Sequence, residues 1–198
     1  MQQIRGSNFC QTIGYANYIG KQQEHCSAIG SENKLGPHTS GVENEYAFGR
    51  LNIIKDWKSA ASIGFANTLA RGATTGNIGA AAFCFGASND ISGPTEGTVV
   101  IGHINHQWPA PGVGEASYIF GFGNRNESEH DFIIGHNNRI YPGCELSYIY
   151  GEGCKAHIDR ASVFGFGCDV SGVYGTTFGL NNSAHEDGSF IIGRYSTA

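Results

Sequence analysis

Hydrophobic and polar positions recur along this chain in one short phrase. A bulky apolar residue precedes Gly; two variable residues follow, then Asn or Cys, then another apolar residue two places on. The copies begin with Ile13-Gly14 leading to Asn17, Ile29-Gly30 to Asn33, Phe48-Gly49 to Asn52, and Ile63-Gly64 to Asn67. They continue with Phe85-Gly86 to Asn89, Ile101-Gly102 to Asn105, Phe120-Gly121 to Asn124, and Ile134-Gly135 to Asn138. Tyr150-Gly151 to Cys154, Phe164-Gly165 to Cys168, Phe178-Gly179 to Asn182 and a final Ile192-Gly193 complete the series. Twelve copies cannot be a catalytic motif, since an active site is built once. A fixed period of this kind predicts a solenoid, one supersecondary unit stacked on copies of itself.

The spacing of the motif glycines is constant from Gly151 through Gly165 and Gly179 to Gly193, and wider at most earlier steps. The constant spacing defines a unit of about fourteen residues, and the excess elsewhere is insertion. Such a unit is too short for two helices, because one mean helix takes about eleven or twelve residues. It suits two strands of about five residues with two tight turns. Composition agrees, with 30 Gly among 198 residues, only 15% charged residues and no apolar stripe of helical period. The expectation is an all-β, parallel β-roll or β-solenoid of about 12 coils. A lead-in (1–8) is followed by a roll with inserted loops (9–120; insertions 36–44, 70–83 and 106–117) and a regular shaft (121–198).

The Gly and Asn positions have a mechanism. A coil turns sharply at each corner, which needs positive φ or close backbone approach; Gly adopts both freely and Asn tolerates the left-handed region. Stacked Asn side chains can also hydrogen-bond along the ladder. At Cys154 and Cys168 the thiol cannot donate like an amide, so a packed rather than hydrogen-bonded corner is expected there.

The two residues before each Gly point to opposite faces of a strand. The nearer is Ile, Phe or Tyr in every copy, and from Val100 onward the farther is mostly apolar as well, through Ile119, Ile133, Ile149, Val163 and Ile191. A narrow coil has one inside, so the second apolar face needs a cover. Another copy of the chain, in a closed cyclic oligomer, supplies it most economically.

Segments such as Ser27-Ala28-Ile29-Gly30-Ser31-Glu32-Asn33 and Ala61-Ser62-Ile63-Gly64-Phe65-Ala66-Asn67 resemble the YadA-type head repeat of trimeric autotransporter adhesins, a repeat also found in bacteriophage tail fibres. The resemblance covers residues 9 to 193. It implies a left-handed parallel β-roll in a side-by-side homotrimer. Ile119, Ile133, Ile149 and Ile191 depart from it, because the family usually carries small residues there. The closing Phe190-Ile191-Ile192-Gly193-Arg194-Tyr195 is similar to the point where some phage fibres pass into a self-cleaving chaperone domain.

The N-terminus, Met1 to Ser7, has no apolar stretch of signal-peptide type, and no run of about 18 apolar residues predicts a membrane span. Six cysteines without a CxxC pair argue against a metal site. Cys10 with Cys26, and Cys154 with Cys168, share motif positions and stack on adjacent rungs, their side chains parallel rather than facing. Reduced, buried thiols are expected, which suit cytoplasmic assembly of a virion protein better than secretion. A net charge of −5 with no Lys/Arg run argues against nucleic acid and anionic membranes as partners, and suits neutral or cationic ligands.

Candidate chemistry is sparse. Glu43/Glu45, Glu127/Glu129/Asp131 and Glu186/Asp187 are the acid groupings from which a glycan-cleaving pair would be drawn; acids in the turns of a β-roll more commonly sit at solvated corners. His103 and His136 both follow a motif Gly, a position where a trimer would form rings of three, and the plainer reading is a solvent-facing turn residue. Binding is grafted onto loops of rigid scaffolds. The third insertion carries His106-Gln107-Trp108-Pro109, and the other Trp sits in Asp56-Trp57-Lys58. Trp108, His106, Trp57 and Asp56 are therefore the candidate ligand contacts, each indole offering a stacking surface for a sugar ring. The alternative for either Trp is sealing an end or a subunit interface.

These readings combine into one expectation: a non-enzymatic, trimeric fibre or spike segment of a phage or phage-like particle. It would use no cofactor or metal. Its partners would be itself, other virion proteins and a host-surface receptor, with carbohydrate the candidate class. The alternatives are a bacterial surface adhesin head, a polysaccharide-degrading tailspike and a purely structural virion fibre.

Overall fold

The computed structural model describes residues 2–4, 9–20, 23–36, 42–55, 57, 59–70, 81–93, 97–108 and 116–198. The described chain is all strand and turn, without helix, wound into a parallel β-solenoid. Each rung contributes one strand of five or six residues carrying the apolar-Gly pair, such as Tyr118–Phe122 or Phe132–His136. A short strand of two or three residues follows, such as Arg125–Asn126 or Arg139–Ile140. The long strands stack into one twelve-stranded sheet and the short strands into another, and every named pairing is parallel. Gln23–Glu24 and Val42–Glu43 add a two-stranded ladder at the side.

Register follows the motif. Gly stands opposite Gly on successive long strands, from Gly14 with Gly30 to Gly179 with Gly193. The rungs approach so closely at this column that a Cβ built on Gly121 would lie 1.9 Å from the carbonyl oxygen of Gly135. No other residue fits there, which is why the motif glycine recurs in every copy. Two residues further on, the backbone turns through the left-handed region. This conformation falls on the residue before Asn: Ala16, Glu32, Leu51, Ala66, Ser88 and Ile104 have φ between 53° and 60°. In the regular half the same position is Gly or Asn in every copy but the last, at Gly123, Asn137, Gly153, Gly167 and Asn181, residues that meet a smaller steric penalty; the last copy has Tyr195.

The motif asparagine is thereby freed for bonding. From Asn33 to Asn138 each Asn Nδ2 donates to the Oδ1 of the Asn one rung before, at 3.0–3.1 Å. From Asn17 onward it also donates to the motif Gly carbonyl one rung ahead, at 2.7–3.0 Å. Most Oδ1 atoms accept a second bond, from the backbone N–H of the next Asn. Cys154 and Cys168 interrupt the ladder, yet their corners are not merely packed: Sγ of Cys154 lies 3.3 Å from the Gly165 carbonyl and that of Cys168 3.5 Å from the Gly179 carbonyl. The thiol, a weak donor, takes over the bond to Gly and leaves out the one to the neighbouring Asn.

The core runs the length of the coil between the two sheets. From the long strands it takes the farther residue of each pair, Ala28, Ala47, Ser62, Cys84, Val100, Ile119, Ile133, Ile149 and Val163, all buried. From the short strands it takes Ile19, Leu35, Ile54, Leu69, Ile91, Ile140, Ala156, Val170 and Ala184. Their sizes compensate within a rung: Ala28 shares its rung with Leu35 and Ala47 with Ile54, whereas Ile149 shares with Ala156. A rung of fixed cross-section holds a fixed side-chain volume. Large residues that depart from the adhesin-head pattern are accommodated where the short strand is small, as at Ile149, with the Ile133–Ile140 rung an exception. None of the six cysteines is in a disulfide, and all but the half-buried Cys10 are buried.

Candidate functional site

The two outer faces of the solenoid differ in chemistry. Long strands turn the nearer residue of each apolar pair outward: Ile13, Phe48, Phe85, Tyr150, Phe164, Phe178 and Ile192 are exposed, and Ile29, Ile63, Ile101, Phe120 and Ile134 half-buried. Tyr118, Phe132, Tyr148 and Phe190 flank this column on one side, with Phe65, Phe122 and Phe166 on the other. Phe164 and Phe178 stack with centroids 4.7 Å apart and rings 4° from parallel. The anticipated second apolar face is present, and within one chain it faces outward along the whole sheet. His103 and His136 lie at its edge in one column with Phe122 between them, the rings 5.3 and 4.9 Å from that Phe, and His136 Nδ1 is 3.6 Å from Glu152.

Short strands carry two polar columns outward, on either side of the buried column. One runs Asp90, His106, Arg125, Arg139, Lys155 and Asp169 on successive rungs. The other, read from the backbone bonds that continue each ladder, runs Trp108, Glu127, Tyr141 and His157. Neither the cations nor the aromatics form a cluster in sequence, because each rung contributes one residue to a column. Stacking brings them together.

Bonds between the columns fix their side chains. Arg139 donates to Glu127 Oε1 at 2.8 Å and holds its guanidinium 4.0 Å from the Tyr141 ring centroid. Arg125 pairs with the same Glu127 oxygen and lies 5.5 Å from the Trp108 centroid. Tyr141 stacks on His157 at 4.1 Å and 16°, and His157 Nε2 reaches Asp169 at 3.2 Å. His106 meets Trp108 edge-on at 6.1 Å. Trp108 is 46% exposed. Of the four predicted contacts, Trp108 and His106 thus come together on an open face.

Trp57 goes elsewhere. It is fully buried, the largest such side chain among the described residues, and its Nε1 has no hydrogen-bond partner among them. The expectation that Trp57 offers a stacking surface is corrected, since the ring is buried with the core residues of the coil and has no face open to a ligand. Asp56 lies outside the described residues, as do Pro109 to Glu115 of the third insertion, 71–80 of the second and 37–41 of the first. Their flanks show that all three insertions open at one corner, after the short strand and before the next long strand.

The acid groupings do not form facing pairs among the described residues. Glu127 sits in the arginine clamp. Glu129 bridges Glu145 along the backbone. Glu186 and Asp187 are exposed, and Asp187 accepts the Val173 N–H at 2.8 Å. Glu45 is buried, while Glu43 is described only by its strand. Asp131 is buried, its Oδ1 accepting the Ser147 N–H at 2.9 Å and its Oδ2 without a partner among the described residues. Burial pushes its carboxyl up to about 8, against the pull of the Ser147 and Asn126 hydrogen bonds.

Asp131 belongs to a polar node not read from the sequence. Gln107 and Asn126 occupy the short-strand core column, where the other rungs carry aliphatic residues. Asn126 Nδ2 donates to Gln107 Oε1, Gln107 Nε2 to the Ser128 carbonyl, and the Asp131 N–H to Ser117 Oγ, at 3.0, 3.0 and 3.3 Å. The signal was available: the residue two places after Asn is Gln107 and Asn126 in two consecutive copies, breaking the apolar rule.

Compared with protein-family models, with curated proteins and with solved structures, the chain matches none. Its functional reading rests on its own surfaces.

Proposed function

We propose that the chain is a non-enzymatic segment of a trimeric fibre or spike, of a phage or phage-like particle, that displays a receptor-binding surface. The observation that carries this is the apolar outer face of the long-strand sheet. Twelve strands about 4.8 Å apart make a face roughly 53 Å long, and five-residue strands make it about 16 Å wide, so it covers roughly 850 Å². Stable interfaces bury about 800 Å² on each partner, and an apolar face of this size is rarely left open in a soluble monomer. Three copies placing it toward a common axis bury it in a closed assembly, consistent with the resemblance to adhesin-head and tail-fibre repeats.

The short-strand face then points outward on all three sides of a stiff rod. Function in such an object is multivalent: three modest sites engage a repetitive surface together, and effective concentration supplies avidity. The test is incubation of the purified protein with whole bacteria and with their surface polysaccharides. Retention on the cells without loss of polymer viscosity is the expected result. A fall in viscosity with turnover would instead make the chain a polysaccharide-degrading tailspike, and failure to bind any surface would leave a purely structural fibre.

A further inference from the structure

The geometry points to a carboxylate-bearing polysaccharide as the ligand of the short-strand face, bound along the rungs by Arg125, Arg139 and Lys155 beside Trp108. This rests on the reading that the chain displays a receptor-binding surface, and names the chemistry of that receptor.

Three cations occupy successive rungs of one column. With rungs about 4.8 Å apart, like charges sit at a spacing that costs free energy unless an anion lies between them. Among the described residues the anion that both arginines reach is Glu127. Lys155 makes no ion pair with any of those residues, and Asp169, which follows it in the column, turns to His157. On these three rungs the two outward columns of the short-strand face therefore set three cations against the single carboxylate of Glu127, a local positive excess on a chain whose net charge is −5. Arg139 is already oriented, its guanidinium held between the Glu127 carboxylate and the Tyr141 ring. An arginine fixed this way presents its remaining N–H groups at little entropic cost, and its fork matches a carboxylate.

The neighbouring column supplies the second half of a sugar site. Trp108 offers that column's open stacking ring; both faces of Tyr141 are taken, by the Arg139 guanidinium at 4.0 Å and the His157 ring at 4.1 Å, so it orients the arginine and does not meet a sugar. A linear polymer lying parallel to the solenoid axis meets the Trp108 ring and then the cations of the next three rungs, where an acidic sugar places its carboxylate. A nucleic acid fits less well: its charge density is far higher, while the column holds only three cations, with an acid among them and an overall negative chain behind.

The experiment is binding of the intact protein to an array that holds uronate-containing and sialylated glycans together with their neutral and methyl-esterified counterparts, with a single-stranded oligonucleotide as competitor. Arg139→Gln, Lys155→Met and Trp108→Ala are run in parallel, with native mass checked for each. Binding confined to carboxylated glycans is expected, with about a tenfold loss on esterification and a similar loss for Arg139→Gln on the acid form but little on the ester. Salt should weaken the wild-type interaction. Equal binding of acid and ester, binding to neutral glycans alone, displacement by the oligonucleotide, or an unaffected Arg139→Gln overturns the assignment. If the wild type is retained on whole bacteria yet binds no carboxylated glycan, the assignment fails while the attachment reading stands; if it is retained on neither, that reading fails as well.

Discussion

At the scale of single residues, each position of the repeat answers one backbone demand. Gly is required where Cβ would strike the next rung, and Asn where a corner needs donors and an acceptor together. The division of labour at the corner is not legible. Left-handed φ falls on Ala16, Glu32 or Ile104 rather than on the asparagine beside it, since Asn is more valuable as a bonding group inside the turn. Replacing Asn124 by Ala would remove the side-chain bonds to the Gly135 carbonyl and Asn105 Oδ1 and take away the Oδ1 that accepts both Asn138 N–H groups, and should cost about 2–4 kcal/mol in urea unfolding. Asp131 gives a pH dependence. Its folded-state pKa of about 8 lies above the ordinary carboxylate value near 3.9, so the folded protein keeps a proton that the unfolded chain releases across that window. The contribution of Asp131 to stability is therefore full below about pH 4 and declines toward pH 8, by up to about 1.4 kcal/mol per pH unit. Asp131→Asn should flatten this slope, as urea titrations at several pH values would record; an unchanged slope would place the titrating group elsewhere. Burial also pushes the Cys26, Cys84 and Cys144 thiols up to about 12 and Cys154 to about 11. Alkylation at neutral pH should therefore spare them in the folded protein and reach them in denaturant, which mass spectrometry of labelled peptides can read.

Strands and turns are legible from spacing: the short repeat leaves room for little besides two strands and two corners. The alternation before Gly says that the paired residues face opposite ways, and only the stacked coil says which is inside. It is the farther residue, small where the short strand opposite fills the rung, as Leu35 does beside Ala28 and Ile54 beside Ala47. The cation and aromatic columns are illegible for the converse reason. Their members come one per rung, so a window short enough to read as a motif never holds two residues of the same column. The sequence misleads at Trp57 because its polar neighbours suggest a surface site, whereas the ring is buried with the core residues. A double substitution of the stacked outer pair, Phe164→Glu with Phe178→Glu, should leave the solenoid folded by circular dichroism yet weaken assembly, since both rings lie outside the core. Loss of the β signal would show that these rings hold the coil itself together.

For the molecule as a whole, the asymmetry between its faces decides what it can do. One sheet closes the coil with an apolar exterior that a single chain leaves uncovered; the other carries an ordered polar exterior open to a ligand. The proposed function gives these faces separate tasks: one for its own copies and one for a surface. Native mass in solution tests that most directly, with the 21.1 kDa chain as the ruler. A mass of three chains, persisting on dilution and lost in the Phe164/Phe178 double variant, is the predicted result. A stable, soluble 21.1 kDa monomer with the apolar face open would contradict it.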